Sequence, residues 1–276
     1  KLEAASSYLT GQLKYSGVVT AKEPEKNISP KLLHAYIRSW STRFLDKTSK
    51  MHRAPYTLSP RNLHFILEYA WKYKMQEYLN YIDETLSHVY YSPMFDPIDG
   101  GIFSQAGDYS FKSPSYEKNI YENANAIILL ASAYKYFKKR IYKEAADRIM
   151  AFLESEMMYR NKGFTTYVTL TKNTSESTYY KYPLEELRKA FPQRWKKIAS
   201  ALGMDIAEDA KKYQTIANTK EYWHIALEEL EILKKIRKTR QKEVIYDKRV
   251  MTGYNCRTAI AYCAMAQVTQ KGEKKE

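Results

Sequence analysis

The sequence predicts an all-α protein made of antiparallel helix pairs, with one small β-hairpin inserted. Three observations carry that expectation. Nine glycines and nine prolines among 276 residues are few, which favours long helices over many short strands joined by tight turns. Apolar residues recur three and four positions apart along most of the chain, the period of a helix with one buried face. Ser29-Pro30, Ser59-Pro60 and Ser113-Pro114 each offer an N-cap hydroxyl followed by a proline at the first helical position.

The elements follow in order. Residues 1–28 read as a lead-in ending in the polar segment AKEPEKN. The first helix, from Pro30, spaces Leu33, Tyr36, Ile37, Trp40 and Phe44 along one face. The second gathers Leu63, Ile66, Leu67 and Ala70, and beyond Lys74 a third carries Met75, Tyr78, Leu79, Ile82, Leu86 and Val89. A long irregular loop then holds Asp96, Asp99 and Asp108 and is expected to run into a helix opening at Pro114. In that helix Ile120, Ala124, Ile127, Ile128 and Ala131 form a wide apolar face; Tyr142, Ala145, Ile149, Phe152 and Leu153 form the next. Between 163 and 182, β-branched and aromatic residues flank the turn NTSES, hence the hairpin. Short helices are expected at LEELRKAF and RWKKIASAL. Asn218, with Glu221 three residues on, marks a further start, and Trp223, Ala226, Leu227, Leu230 and Leu233 are its stripe. The last helix contains NCRTAIAYCAMAQV, whose alanines permit close helix–helix contact. The domain is expected to span residues 29–270, before a charged tail at 271–276.

Composition narrows the function classes. The balance of 45 Lys+Arg against 31 Asp+Glu gives +14, which suits an anionic partner and says nothing of fold. The strongest block is KKIRKTRQK, Lys234–Lys242. With Glu228, Glu229 and Glu231 just upstream it reads as a solvated helix end that suits its own dipole, so a nucleic-acid role is not favoured. Cys256 and Cys263 share one helical face about 10 Å apart, too far for a disulfide. No CxxC pair occurs, and a reducing, cytoplasmic compartment fits. No apolar run approaches the length of a membrane span. His34, His52, His64, His88 and His224 show no metal spacing and no HExxH, and there is no phosphate-binding glycine loop or serine-nucleophile elbow. No metal or cofactor is expected.

Loops as long as the one after Asp96 are usually functional in a compact domain. Helix pairs joined alternately by short and long connections are the habit of α/α toroids and solenoids, whose long connections gather at one end and build the site. Asp96, Asp99, Asp108 and Glu117 are therefore candidate paired carboxylates, for acid–base work or for binding sugar hydroxyls. The plainer reading is that Asp99-Gly100 makes a turn and Glu117 complements the dipole of a first helical turn. Tyr109, Tyr116 and Tyr121 offer a stacking wall for a sugar or base, or pack like most of the 26 tyrosines.

Asp96-Pro97 with Gly100-Gly101, then Pro114, Tyr116-Glu117-Lys118 and Asn123-Ala124, occur at compatible spacing. Gly163-Phe164, Tyr179-Tyr180, Glu185-Glu186, Asp247-Lys248, Thr252 and Tyr254-Asn255 follow in order. Together, over residues 30–268, they resemble the helical region of the thioredoxin-domain-containing, spermatogenesis-associated-type proteins. That region is an (α/α)6 toroid related to N-acylglucosamine 2-epimerases and six-hairpin glycosidases. The resemblance implies about half of such a toroid, with neither the thioredoxin-like domain nor the second half of the ring. Such an arc is either a piece of a longer or split protein or one completed by a partner chain. Ser115 stands where the family has histidine, Tyr254 where it has tryptophan, and HRAPYTLSP, with His52 and Arg53, replaces a glycine-rich K-F-P loop. Losing a group that titrates near neutrality removes the most versatile acid–base carrier, so an active epimerase or glycosidase is not expected.

The leading expectation is thus a degenerate toroid protein whose pocket binds a small polyol or sugar through Asp96, Asp108, Glu117, Lys118, Asn123, Asp247 and Asn255. No catalytic residue is assigned. A second is a non-catalytic helical scaffold completed by a partner chain, and a third is a basic nucleic-acid-associated subunit. The first requires Asp96, Asp108, Glu117 and Asp247 to approach one cavity. The second requires an uncovered apolar face, and the third requires steeply salt-dependent binding.

Overall fold

The computed structural model describes residues 29–45, 56–160, 162–171, 177–207 and 210–273. The lead-in, His52, Arg53, the Phe44 side chain, most of NTSES and the last three residues of the tail lie outside them. The chain divides after Met51 into two compact units. In the first, α1 spans Pro30–Leu45 and is capped as expected, Leu32 N donating to Ser29 Oγ at 3.2 Å. Ile37 is buried, but Tyr36 and Trp40 are exposed, so the expected stripe narrows.

The second unit is built on two helix pairs. α2 (Pro60–Tyr73) and α3 (Gln76–Tyr90) are joined through Lys74, whose left-handed backbone at φ 55° ends the first. α4 (Ile120–Phe137) and α5 (Arg140–Phe152) are joined the same way through Lys138 at φ 57°. The apolar stripes predicted for these helices are their buried faces. α4 is buried over most of the stretch from Ile120 to Ala133, with Asn123 and Asn125 among its buried residues, as suits a central helix. It packs against α2, α5 and the last helix, α9 (Thr252–Glu273), which takes in the first three residues of the tail.

Side-chain contacts fix the helix directions. Arg61 meets Tyr121 at 3.0 Å, His64 meets Ser132 at 3.0 Å, and Trp71 stacks on Tyr136 at 4.4 Å. α2 and α4 therefore run parallel. Tyr254 lies 5.1 Å from Tyr121, and Arg257 Nε donates to Asn125 Oδ1 at 2.8 Å, so α9 also runs parallel to α4. α3 and α5 run the opposite way to these three and parallel to each other, Asp83 meeting Tyr142 and Tyr90 meeting Glu144.

Three local expectations are corrected. No helix opens at Pro114, which sits in an extended bridge with Ala106. The helix begins at Ile120 instead, where Asn119 Oδ1 accepts Tyr121 N at 2.8 Å. Asn218 starts no helix either: its amide turns inward to Tyr90 O at 2.9 Å. Residues 222–224 make a 3-10 turn, and α8 (Leu227–Lys238) begins beyond it, leaving Trp223 and Leu227 exposed. The 163–182 hairpin is not formed. β2 (Tyr167–Leu170) lies between β1 (Lys118–Asn119) and β5 (Val244–Asp247) in one antiparallel sheet. β3 (Lys181–Tyr182) pairs instead with β4 (Gln214–Thr215), because Tyr179, Tyr180 and Tyr182 are drawn inward around a buried arginine, Arg237. The short helices α6 (Leu184–Ala190) and α7 (Trp195–Ala201) do form. With α8 they enclose a second core of Tyr182, Leu187, Phe191, Ile198, Leu202 and Leu233, which reaches Ile98 of the long loop. Among the described residues no helix is long and apolar enough to cross a membrane.

Candidate functional site

Asp96 begins a closed turn. Gly100 N donates to Asp96 O at 3.1 Å, Asp96 N donates to Gly101 O at 3.0 Å, and Phe95 bridges Ile102 beyond them. Gly100 and Gly101 hold φ of 79° and 82°, conformations that side chains disfavour. A Cβ on Gly100 would also stand 2.3 Å from Arg148 O. The turn is thus pressed against α5 and aims the Asp96 carboxylate inward.

Two cations meet that carboxylate. Lys118 Nζ reaches Asp96 Oδ2 at 2.7 Å and Gly100 O at 2.6 Å. Arg237 Nη1 reaches Asp96 Oδ2 and Asp99 Oδ2, each at 2.7 Å, while Asp96 Oδ1 accepts Ile98 N at 2.9 Å. The Asp96, Lys118 and Arg237 side chains are each 1% exposed and Asp99 is 9%. Two carboxylates and two cations leave the cluster electrically balanced. Burial by itself would raise the Asp96 carboxyl, but Arg237 and Lys118 hold it well below the usual carboxylate range. Burial also pulls the Lys118 ammonium down, against the pull of Asp96 and Asp99.

Aromatic rings close the cluster off. Lys118 Nζ lies 4.1 Å from the Phe152 ring centre, 5.1 Å from Phe103 and 5.3 Å from Tyr180. The Arg237 guanidinium lies 5.0 Å from Tyr180 and 5.7 Å from both Tyr179 and Tyr182. Arg237 Nε and Nη2 have no hydrogen-bond acceptor among the described residues, and the ring faces supply the attraction there. On the other side Arg148 Nη2 donates to Pro97 O at 2.7 Å, beside the Tyr222 hydroxyl that donates to the same oxygen at 2.5 Å. A cluster so covered has no open side from which a substrate could reach it. Its chemistry is cross-linking: it ties the loop to β1 and α8.

The remaining expected site residues serve other places. Asp108 accepts from Ser110 Oγ, Lys112 N and Ser113 N. Burial would raise its carboxyl, but these bonds hold it at about 2. Glu117 precedes the helix and offers its backbone carbonyl to Ser104 N at 2.7 Å. Asp247 pairs with Arg249 beside it. Asp96, Asp108 and Asp247 thus have separate partner sets. Asn123 and Asn255 repeat one device. Asn123 accepts Ile102 N at 2.8 Å and donates to Ile102 O at 3.0 Å. Asn255 accepts Phe164 N at 2.7 Å and donates to Phe164 O at 3.0 Å. Each amide, in the first turns of α4 or α9, pairs like a strand with one residue of a preceding loop.

Sequence reasoning missed Arg237, Arg148 and Tyr180. Arg237 lies in the basic run read as solvated, yet it follows Leu233 by four residues, and that spacing on a buried stripe was the available signal. Others of the run pair at or near the surface: Arg240 Nη1 meets both Glu186 oxygens at 3.1 and 3.0 Å, Lys238 meets Glu156 at 3.5 Å, and Lys234 meets Glu231 at 2.8 Å, while Lys235 and Lys242 are exposed. Among the described residues no cluster of three or more His, Cys, Asp or Glu could hold a metal ion.

No family model and no curated protein matches this chain.

Proposed function

We propose that the chain is a non-catalytic helical scaffold of the α/α-toroid type, which assembles with a second copy of itself through α9. The outer face of α9 carries this reading. Gly253, Cys256, Ala259, Ile260, Cys263 and Ala266 recur on it at helical spacing, and all are exposed. Between Thr252 and Gln270 the one charged residue is Arg257, which is turned to Asn125 on α4. A solvated helix face is normally charged or polar. This one carries no charge, in a chain of +14.

The parallel set α2, α4 and α9, with α3 and α5 antiparallel to it, supports the toroid resemblance. α9 packs against α4 through one face and exposes another to solvent. Small side chains there let another helix approach to about 8–10 Å between axes. A second copy meeting the chain at this face encounters no like charge, while the lysine-rich surfaces elsewhere repel it. The acidic loop supports the same reading, because Asp96 and Lys118 of the expected pocket are committed to a buried ion cluster.

The two thiols give a direct test. Cys256 and Cys263 are free and exposed in one chain, so a maleimide should label them several-fold more slowly at high protein concentration than after dilution. Labelling rates that do not depend on protein concentration contradict the assembly.

A further inference from the structure

The short helices α6 and α7 lie over the second core. From Leu187 to Met204 the chain has five Lys or Arg residues and no Asp or Glu. Arg194 is matched: its Nε meets Glu229 Oε1 at 2.9 Å and its Nη2 donates to His224 O at 2.7 Å, which ties the start of α7 to α8 and the turn before it. Arg188, Lys189, Lys196 and Lys197 are exposed, and none makes an ion pair among the described residues. The carboxylates around them have other work. Glu186 is spent on Arg240 at 3.0 Å, Glu221 accepts Ser200 Oγ of α7 at 2.6 Å, and Glu185 stands in the first turn of α6, where the helix dipole suits it. Two of the unmatched cations meet at one ring. The Arg188 guanidinium carbon lies 4.5 Å and Lys196 Nζ 5.6 Å from the ring centre of Trp195, which is itself packed against the second core.

We infer that α6 and α7 form a binding surface for the phosphate backbone of a nucleic acid, held by Arg188, Lys189, Lys196 and Lys197. A lysine-bearing helix that merely faces water intersperses carboxylates among its cations, as α8 sets Glu231 beside Lys234 at 2.8 Å. The surface of α6 and α7 does not. Phosphates placed on its four cations relieve their mutual repulsion and release condensed counterions, which drives binding. A guanidinium resting on a ring fixed to the core loses little freedom on meeting a phosphate, and its planar fork suits two phosphate oxygens. Contacts made to phosphate alone select no base sequence. A lipid surface fits less well, because attachment there takes an apolar face that enters the bilayer as well as charge, and Trp195 is engaged with the core. This surface and the α9 face lie on different helices, and neither proposal depends on the other.

The test is fluorescence anisotropy of the full chain with a labelled single-stranded RNA and a labelled DNA duplex, over a range of salt concentrations. Polyglutamate and phosphatidylserine vesicles serve as comparisons. Four phosphate contacts predict that log K falls against log salt with a slope of about −3 to −4. Lys196→Glu combined with Lys197→Glu should weaken binding by about tenfold or more and roughly halve that slope. Arg188→Gln, an independent variant, should reduce the slope by about one. Lys72→Glu combined with Lys112→Glu makes the same change in net charge at exposed positions on other elements. It should leave the affinity within about twofold of wild type, since about 0.15 M salt screens charges beyond about 8 Å. Circular dichroism checks that each variant is folded. Absence of binding by both nucleic acids, an affinity unaltered by the change at Lys196 and Lys197, equal losses in the two double variants, or tighter binding of polyglutamate or vesicles overturns the proposal.

Discussion

At the scale of single residues, Asp96 decides most. Its carboxylate is shared by two cations that have little other compensation, so Asp96→Asn leaves Lys118 and Arg237 buried with Asp99 as the one carboxylate between them. Breaking a buried pair from one side typically costs about 3–5 kcal/mol, and urea denaturation at neutral pH should show a loss of that order. The pH dependence has a definite sign. A carboxyl depressed on folding adds stability that is present above its unfolded value, about 3.9, and is lost as pH falls toward the folded value. Wild-type stability should therefore fall from about pH 4 downward, with a steeper slope than that of Asp96→Asn. Equal slopes would mean that Asp96 is not ionised in the native state. Gly100 tests the geometry that aims the carboxylate. Gly100→Ala must tolerate φ 79° and a Cβ 2.3 Å from a backbone oxygen. A melting temperature unchanged from wild type would show that the turn is not pressed against α5 as described.

At the scale of elements, helices are held to loops by carboxamides more than by turns. Asn255→Leu would leave the half-buried N–H and C=O of Phe164 without their partner, a loss of about 1 kcal/mol or more in all. Hydrogen exchange at the Phe164 amide should accelerate in that variant while the amides of α4 stay protected. Uniform acceleration would instead mean global destabilisation. The same contrast explains what could be read from the sequence. Leu63, Ile66 and Leu67, or Tyr78, Ile82 and Leu86, are buried because a local period places them on one face, and a period is visible in the chain itself. Asn119 could not be separated from Ser113 as the cap, since both carry suitable side chains and tertiary pairing of Pro114 with Ala106 decided between them. The lost hairpin has the same origin, since Tyr180 and Tyr182 answer to Arg237 rather than to their neighbours. Asp96 and Lys118 were recognised as belonging together, but Arg237 comes from more than a hundred residues away and no local pattern announces such a partner.

At the scale of the molecule, the account separates a closed interior from an open flank. The interior holds Asp96, Asp99, Lys118 and Arg237 in one ion cluster, and α9 presents an uncharged face to water. The central claim is that this face is where a second copy binds. Multi-angle light scattering over a range of concentrations tests it most directly, with wild type compared against Ile260→Arg, a change at a side chain 52% exposed that leaves the core untouched. The account predicts a mass rising to twice 32.4 kDa for wild type and staying at the single-chain value for the variant. A wild-type mass of one chain at every concentration, or a dimer that Ile260→Arg does not weaken, would contradict it.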